Sequence, residues 1–284
     1  MMRAIGLEYH DVVAGDDFDA SGFPGAAAAS YKLTVSSFDA HLRAIAATGV
    51  RVTRVDLASA ATDGAMPVLL TFDDGGSSAL HGTSRCLARF GWAGHFLVTT
   101  SRIGTLGFLD AAQIRAVHAA GHVVGSHSCT HPLRFSALGR SAMRREWAES
   151  RDALEQILGA PVTVASVPGG YFRRIAAETA AEAGLRTLFT SEPVSSVRTI
   201  AGCTVFGRCS IRRATTPEEA AALASGQRGP RARQWIVWNG KKAVKAAGGR
   251  VYLDAREWLF ERGAPEQPEA VEESAAPDGR SPLA

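Results

Sequence analysis

Apolar residues fall into two periods along this chain. Pro67 to Phe72 is a near-continuous apolar run, as in a strand buried on both faces. Ile5 to Val13, Arg51 to Val55, Trp92 to Thr100, His122 to Ser126, Val162 to Val167 and Leu185 to Thr190 read as further strands. Helical patterns lie between them. Ser36 and Asp39 resemble a capping box for a helix running to about Thr48, with Gly49 as its stop. Other helices are predicted over Ser78 to Phe90, from an Asp110 cap to just before Gly121, over Ser141 to Leu158, and over Arg173 to Ala183. Thr216-Pro217-Glu218-Glu219 is a helix start: a hydroxyl cap, Pro at the first position, acids in the first turn. Further helical segments and a short strand near Val251 to Leu253 follow. Asp16 to Tyr31 lacks periodicity and reads as a loop, and no internal repeat is visible.

Strands alternating with helices predict an α/β fold with a parallel sheet. The residues able to do chemistry repeatedly fall just after strands. In a (β/α) barrel those positions form the C-terminal face, where active sites lie. From Gly263 the chain is rich in Pro, Glu, Ala and Ser and poor in large apolar residues. The organisation expected is one barrel domain over residues 1–262 and a disordered tail over 263–284.

Composition narrows the classes. A chain of 284 residues can bury a sizeable core, and a net charge of +3 implies no global attraction to nucleic acid or membrane. The start, Met1 to Asp11, is broken by Glu8 and His10 and does not read as a signal peptide; no apolar run reaches membrane-span length. A cytoplasmic location is the expectation. Cys86, Cys129, Cys203 and Cys209 form no CxxC pair and are expected as free thiols, although the spacing of Cys203 and Cys209 would allow a hairpin disulfide.

The candidate chemistry lies in two places. Thr71-Phe72-Asp73-Asp74-Gly75 puts two carboxylates just past the apolar run, and Gly125-Ser126-His127-Ser128-Cys129-Thr130-His131-Pro132 puts two histidines at and beyond a later strand. Alone, Asp-Asp-Gly reads as a turn and a four-residue histidine spacing as a helix face. Both at strand ends point to a site. With Asp74, His127 and His131 as ligands, a carboxylate and two imidazoles suit zinc or another borderline divalent ion, with open positions for water and substrate. The metal would polarise a carbonyl and activate the water, and Asp73 could remove the water's proton. Such a site hydrolyses an acyl bond.

These residues resemble the polysaccharide deacetylases, the NodB-homology or carbohydrate esterase family four. Thr71 to Gly75 is similar to that family's first motif, and His127-Ser128-Cys129-Thr130-His131 to its second. The resemblance runs over roughly Ile5 to Thr190. It implies a distorted (β/α) barrel of the NodB-homology type, with Asp73 as general base. It also implies Asp74, His127 and His131 as ligands to a divalent metal, commonly zinc, and hydrolysis of an N- or O-acetyl group on a carbohydrate substrate by a metal-bound water. The family's third motif carries an arginine that helps to position the base. Here Ser166 stands in its place in Ser166-Val167-Pro168-Gly169-Gly170-Tyr171, and Arg102, Arg173 or Arg174 are candidates to replace it. Pro168, Gly169 and Tyr171 are expected to line the substrate groove, with a Tyr171 N–H aimed at the oxyanion. The family's last motif supplies a histidine acid, but no histidine follows His131. His10, at the end of the first predicted strand, would share the barrel face and is expected to line the site as a catalytic residue, with the acid step itself left unassigned. Two alternatives stay open: a hydrolase of another small amide on the same metal site, and a non-catalytic glycan-binding member.

The remaining features read as structural. His95 is expected as a hydrogen-bonded core residue, His122 as structural, and His41, His81 and His118 as surface or packing positions. Arg228 to Arg250 holds seven basic residues and no acid. It reads as a solvated helical face, or as a patch for an anionic substrate or a membrane surface. Trp235 and Trp238, inside it, read as core anchors, with stacking on sugar rings as the alternative.

Overall fold

The computed structural model describes residues 2–60 and 66–240. The predicted strand at Val251 to Leu253 and the predicted tail from Gly263 lie outside the described residues. In chain order the elements are β1 (Ile5–Tyr9), β2 (Val12–Val13), α1 (Ala26–Ala29), β3 (Leu33–Thr34), α2 (Val35–Ala47), β4 (Val68–Phe72), α3 (Arg85–Ala88), β5 (His95–Val98), α4 (Ala111–Ala119), β6 (Val123–Ser126), α5 (Arg140–Leu158), β7 (Val164–Ser166), α6 (Arg174–Glu182), β8 (Thr187–Thr190), β9 (Arg198–Ile200), β10 (Cys203–Ser210) and α7 (Pro217–Ala224).

Strands β1, β4, β5, β6, β7, β8 and β10 pair in that order, all parallel, and β10 returns to β1. The result is a closed seven-stranded (β/α) barrel, one strand short of the eight-stranded form and therefore distorted. Strand β10 changes partner along its length. Cys203 to Val205 pair antiparallel with β9, and Arg208 to Ser210 pair with β1. Closure is therefore made at Arg208, opposite Gly6. A Cβ on Gly6 would lie 2.7 Å from Arg208 Cγ and 2.6 Å from Gly207 O, so only glycine leaves room for the arginine stem.

The period of two sorts the barrel residues. Val68, Leu70 and Phe72 face outward into a core shared with Phe38, Leu42 and Ile114 of the surrounding helices. Leu69 faces inward with Leu97, Val164, Phe189 and Phe206. On the inward parity above that apolar floor stand Glu8, Thr71, Asp73, His127, Ser166 and Arg208, all buried. The interior is thus apolar below and ionic above.

Several sequence expectations shift. Ile5 to Val13 splits into β1 and β2, because Asp11 turns away to accept from Ser21 Oγ (2.6 Å) and Ser78 Oγ (2.8 Å). Arg51 to Val55 forms no strand. Only Val52 makes a bridge, and the Val55 N–H donates to His95 Nε2 (2.9 Å) instead of a ladder. Helix α2 is capped by Thr34, which accepts from the Ser37 N–H, rather than by Ser36. The Ser78 to Phe90 helix is a π-helical turn over Ala79–Ser84 followed by α3. The Asp110 capping box and the Thr216 cap form as expected. Strands β9 and β10 were not foreseen. The four cysteines are free thiols. His95 and His122 are buried and hydrogen-bonded, His41 is buried, and His81 and His118 are exposed. No helix of the described residues is long and apolar enough to cross a membrane.

Candidate metal centre

Asp73 follows β4 directly and continues its inward parity. Asp74 would face away in an extended chain. It adopts φ 76° instead, a left-handed conformation that folds its carboxylate back over the same end of the barrel. The histidine loop uses the same device, with φ 62° at Ser128 and 54° at His131. Among the described residues, three of the four non-glycine residues with positive φ thus lie in this one site. Strain of this kind persists only where the surroundings impose it. Here Glu146 of α5 imposes it, accepting from the N–H of Cys129 (3.0 Å), the N–H of Thr130 (2.8 Å) and Thr130 Oγ1 (2.7 Å). Within the loop, the His131 N–H donates to Ser128 Oγ at 3.1 Å.

Asp74 Oδ1 lies 3.5 Å from His127 Nε2 and 3.7 Å from His131 Nε2. The three donor atoms all lie within 4.8 Å of one another. The three would suit a divalent ion such as zinc, whose donors stand about 3.3 Å apart, after an inward movement of the side chains. The tautomer of His127 also fits. Ser166 Oγ donates its one proton to Asp73 Oδ1 (3.1 Å), so it must accept from His127 Nδ1–H (2.6 Å). That leaves the Nε2 lone pair towards Asp74, as a ligand requires. Burial pushes His127 down to about 3, so it is a neutral imidazole near neutral pH. Burial raises the Asp74 carboxyl against the pull of His10 and His131, as expected of a carboxylate awaiting a cation.

Asp73 has a different partner. Arg208, fully buried, grips it with two parallel bonds, Nη1 to Oδ1 (2.7 Å) and Nη2 to Oδ2 (2.8 Å). Arg208 also donates to Glu8 Oε1 (2.7 Å), Thr71 Oγ1 (3.0 Å) and the Thr190 carbonyl (3.3 Å). Ser191 and Ser210 hydroxyls complete the shell of Glu8. Burial alone would raise the Asp73 carboxyl. The Arg208 charge, with His127, overrides it and holds Asp73 below the usual carboxylate range.

Arg208 is the residue that sequence reasoning missed. None of the three substitutes named from the sequence reaches Asp73. Arg102 lies over the rings of Phe23 and Phe108, Arg173 donates to the Ser136 carbonyl, and Arg174 pairs with Glu178. The available signal was an arginine at alternating spacing between Phe206 and Ser210.

His10 stands at the end of β1, half-buried. It lines a small cavity with Asp73, Gly75, Gly76 and Phe96. Its Nδ1 is buried without a hydrogen-bond partner among the described residues. Pro168, Gly169 and Tyr171 lie on the loop after β7, at the same barrel end, where Pro168 is buried and the Tyr171 ring stacks on Trp238 at 6.4 Å. The rim comes from the predicted loop Asp16 to Tyr31. Buried Lys32 gathers that loop by donating to the carbonyls of Phe18 (2.7 Å), Ser21 (2.6 Å) and Phe23 (2.6 Å). It thereby sets the Phe23 ring 4.9 Å from His131.

Comparison with known proteins agrees with this geometry. Residues 60–188 match the family model described as polysaccharide deacetylase. YxkH of Bacillus subtilis (strain 168), provisionally named a polysaccharide deacetylase, is 22% identical over 197 residues, 68% of this chain and 66% of its own length. A gellan lyase from Bacillus sp is 36% identical over 111 residues, 38% of this chain and 4% of its own length. The chain thus spans less than two thirds of either curated relative. Among solved structures, IcaB from Ammonifex degensii superposes with a TM-score of 0.64 at 21% identity, over 79% of this chain and 98% of that one. The Streptococcus pyogenes deacetylase PplD in complex with acetate gives 0.64 at 18% identity over the same shares. At those identities the structures speak for the fold.

Proposed function

We propose that this chain, whose residues 60–188 match the polysaccharide deacetylase model, removes acetyl groups from an N- or O-acetylated carbohydrate by metal-assisted hydrolysis. The observation that carries this reading is the division between the two adjacent carboxylates. Asp74 closes on two imidazole nitrogens, whereas Asp73 is held ionised by Arg208 and makes no part of that cluster. A divalent ion held by Asp74, His127 and His131, zinc being the natural choice for that donor set, would polarise the acetyl carbonyl and ease deprotonation of the attacking water.

The chain's own residues supply the rest. Asp73 Oδ1 already accepts two hydrogen bonds, from Arg208 and Ser166, but Oδ2 accepts only one. Oδ2 therefore keeps the lone pair that takes the proton from water. Arg208 and Ser166 fix the plane of that carboxylate. His10, with an unpartnered Nδ1 beside Asp73, is placed in the role of acid to the leaving nitrogen or oxygen. Pro168, Gly169 and Tyr171 are assigned to the substrate groove.

Acetate release from a panel of N-acetylated sugars and oligomers tests the proposal. The metal-replete protein should release acetate, and a chelator should stop it. Asp73→Asn should lower turnover by about two to four orders of magnitude with the metal still bound. His10→Ala should lower turnover and likewise keep the metal. No acetate from folded, metal-loaded protein would overturn the deacetylase reading, and unchanged turnover in either variant would remove that residue from the mechanism.

A further inference from the structure

Arg3, Arg228 and Arg231 converge on one cleft of about 460 Å3, together with Ser195, Ser196 and Trp235, and no carboxylate among the described residues lines it. The cleft lies beside the N-terminal end of β1, where Arg3 bridges Ser196 and the Ala4 N–H donates to the Ser195 carbonyl. The metal centre is at the other end of the barrel, roughly 17 Å away along a five-residue strand.

Three observations point to a ligand. Arg3 is fixed in place, its Nε and Nη2 donating to Ser195 Oγ at 3.3 and 3.0 Å. Arg231 Nη1 is buried without a hydrogen-bond partner among the described residues. None of the three arginines forms an ion pair among the described residues, whereas Arg140, Arg174 and Arg198 elsewhere each hold a glutamate. A buried guanidinium N–H without an acceptor is costly, and an oxyanion would satisfy it. Guanidinium forks match phosphate oxygens two at a time. Trp235, expected as a core anchor, is 50% exposed and lines the cleft. Two members of the basic run noted in the sequence, Arg228 and Arg231, thus gain a common purpose.

We propose that this cleft binds a phosphate-bearing ligand, with the phosphate held between Arg3, Arg228 and Arg231 and an attached ring stacked on Trp235. The site is independent of the acetyl chemistry. The phosphate could belong to a nucleotide-type ligand or to a lipid headgroup. Calorimetric titration of the full chain, with chelator present to keep the metal centre silent, separates these sources. Its probes are uridine diphosphate and inorganic phosphate, alongside cosedimentation with phosphatidylcholine vesicles with and without phosphatidic acid.

Uridine diphosphate should bind saturably and more tightly than inorganic phosphate. Arg231→Ala should weaken it at least about tenfold, and Arg228→Glu, at an exposed position, should abolish it in a folded protein. Trp235→Ala should weaken uridine diphosphate alone. Asp74→Asn should leave both unchanged. Cosedimentation only with phosphatidic acid, lost in Arg228→Glu, would keep the site and make a lipid headgroup its source. Failure of every probe to bind, or equal binding by the arginine variants, would overturn the proposal.

Discussion

Arg208 lies between Asp73 and Glu8 where water does not reach, so its removal would strand two buried carboxylates. Arg208→Met is expected to cost about 3 to 5 kcal/mol of stability, read as a lowered urea midpoint, and to abolish turnover even where the fold survives. Ser166→Ala is expected to behave differently. It removes a small hydroxyl that fixes the His127 tautomer, so stability should change little. Zinc affinity, measured by competition with a chromogenic chelator, should fall about 10- to 100-fold. Unchanged affinity would mean that Ser166 serves only Asp73. Both residues share what the sequence reading asked of one motif arginine: Arg208 brings a charge to Asp73, and Ser166 links Asp73 to His127.

The elements explain what was legible in the chain and what was not. Strands β4 and β6 are apolar runs with chemistry at their ends, so Asp73, Asp74, His127 and His131 could be read directly. Strand β10 could not. Its sequence, Cys203-Thr204-Val205-Phe206-Gly207-Arg208-Cys209-Ser210, breaks the apolar pattern because its inward face carries Arg208 and its neighbour Gly207 packs closely against the Glu192 and Val194 carbonyls. A strand that feeds an ionic interior looks like a loop, and the arginine was lost with it. The rim was hidden for a related reason, since Lys32 orders the Asp16 to Tyr31 segment through backbone carbonyls that carry no sequence signal. Helix α5 invites a test of how the histidine loop is held. Glu146→Gln keeps one acceptor oxygen and should be mild. Glu146→Ala frees the Cys129 and Thr130 N–H groups and lets Ser128 and His131 relax from positive φ. Zinc should then bind more weakly while far-ultraviolet circular dichroism stays unchanged; equal affinity would show that the loop holds its shape alone.

For the whole molecule, two histidines far from the metal residues predict the response to acid. His95 accepts the Val55 N–H on Nε2 and therefore donates from Nδ1 to the Leu70 carbonyl. His122 accepts the Gly94 N–H on Nδ1 and so donates from Nε2 to Ser84. Each is committed to the neutral ring, and burial lowers both from 6.5 to about 4. Below pH 6.5 the unfolded chain takes up protons that the folded one refuses. Stability should therefore be level above about pH 7 and fall as the pH drops towards 4, by up to about 3 kcal/mol per histidine. Urea midpoints across that range measure it, and His122→Gln should remove part of the slope. A flat profile would contradict the buried neutral assignment. The closing strand carries a different consequence. Because Arg208 reaches Asp73 only once β10 has met β1 at Gly6, Asp73 would become competent as the proposed base at the step that seals the barrel. A chain interrupted before residue 203 would carry both carboxylates and both histidines yet remain inert, so catalysis itself would report that the fold has been completed.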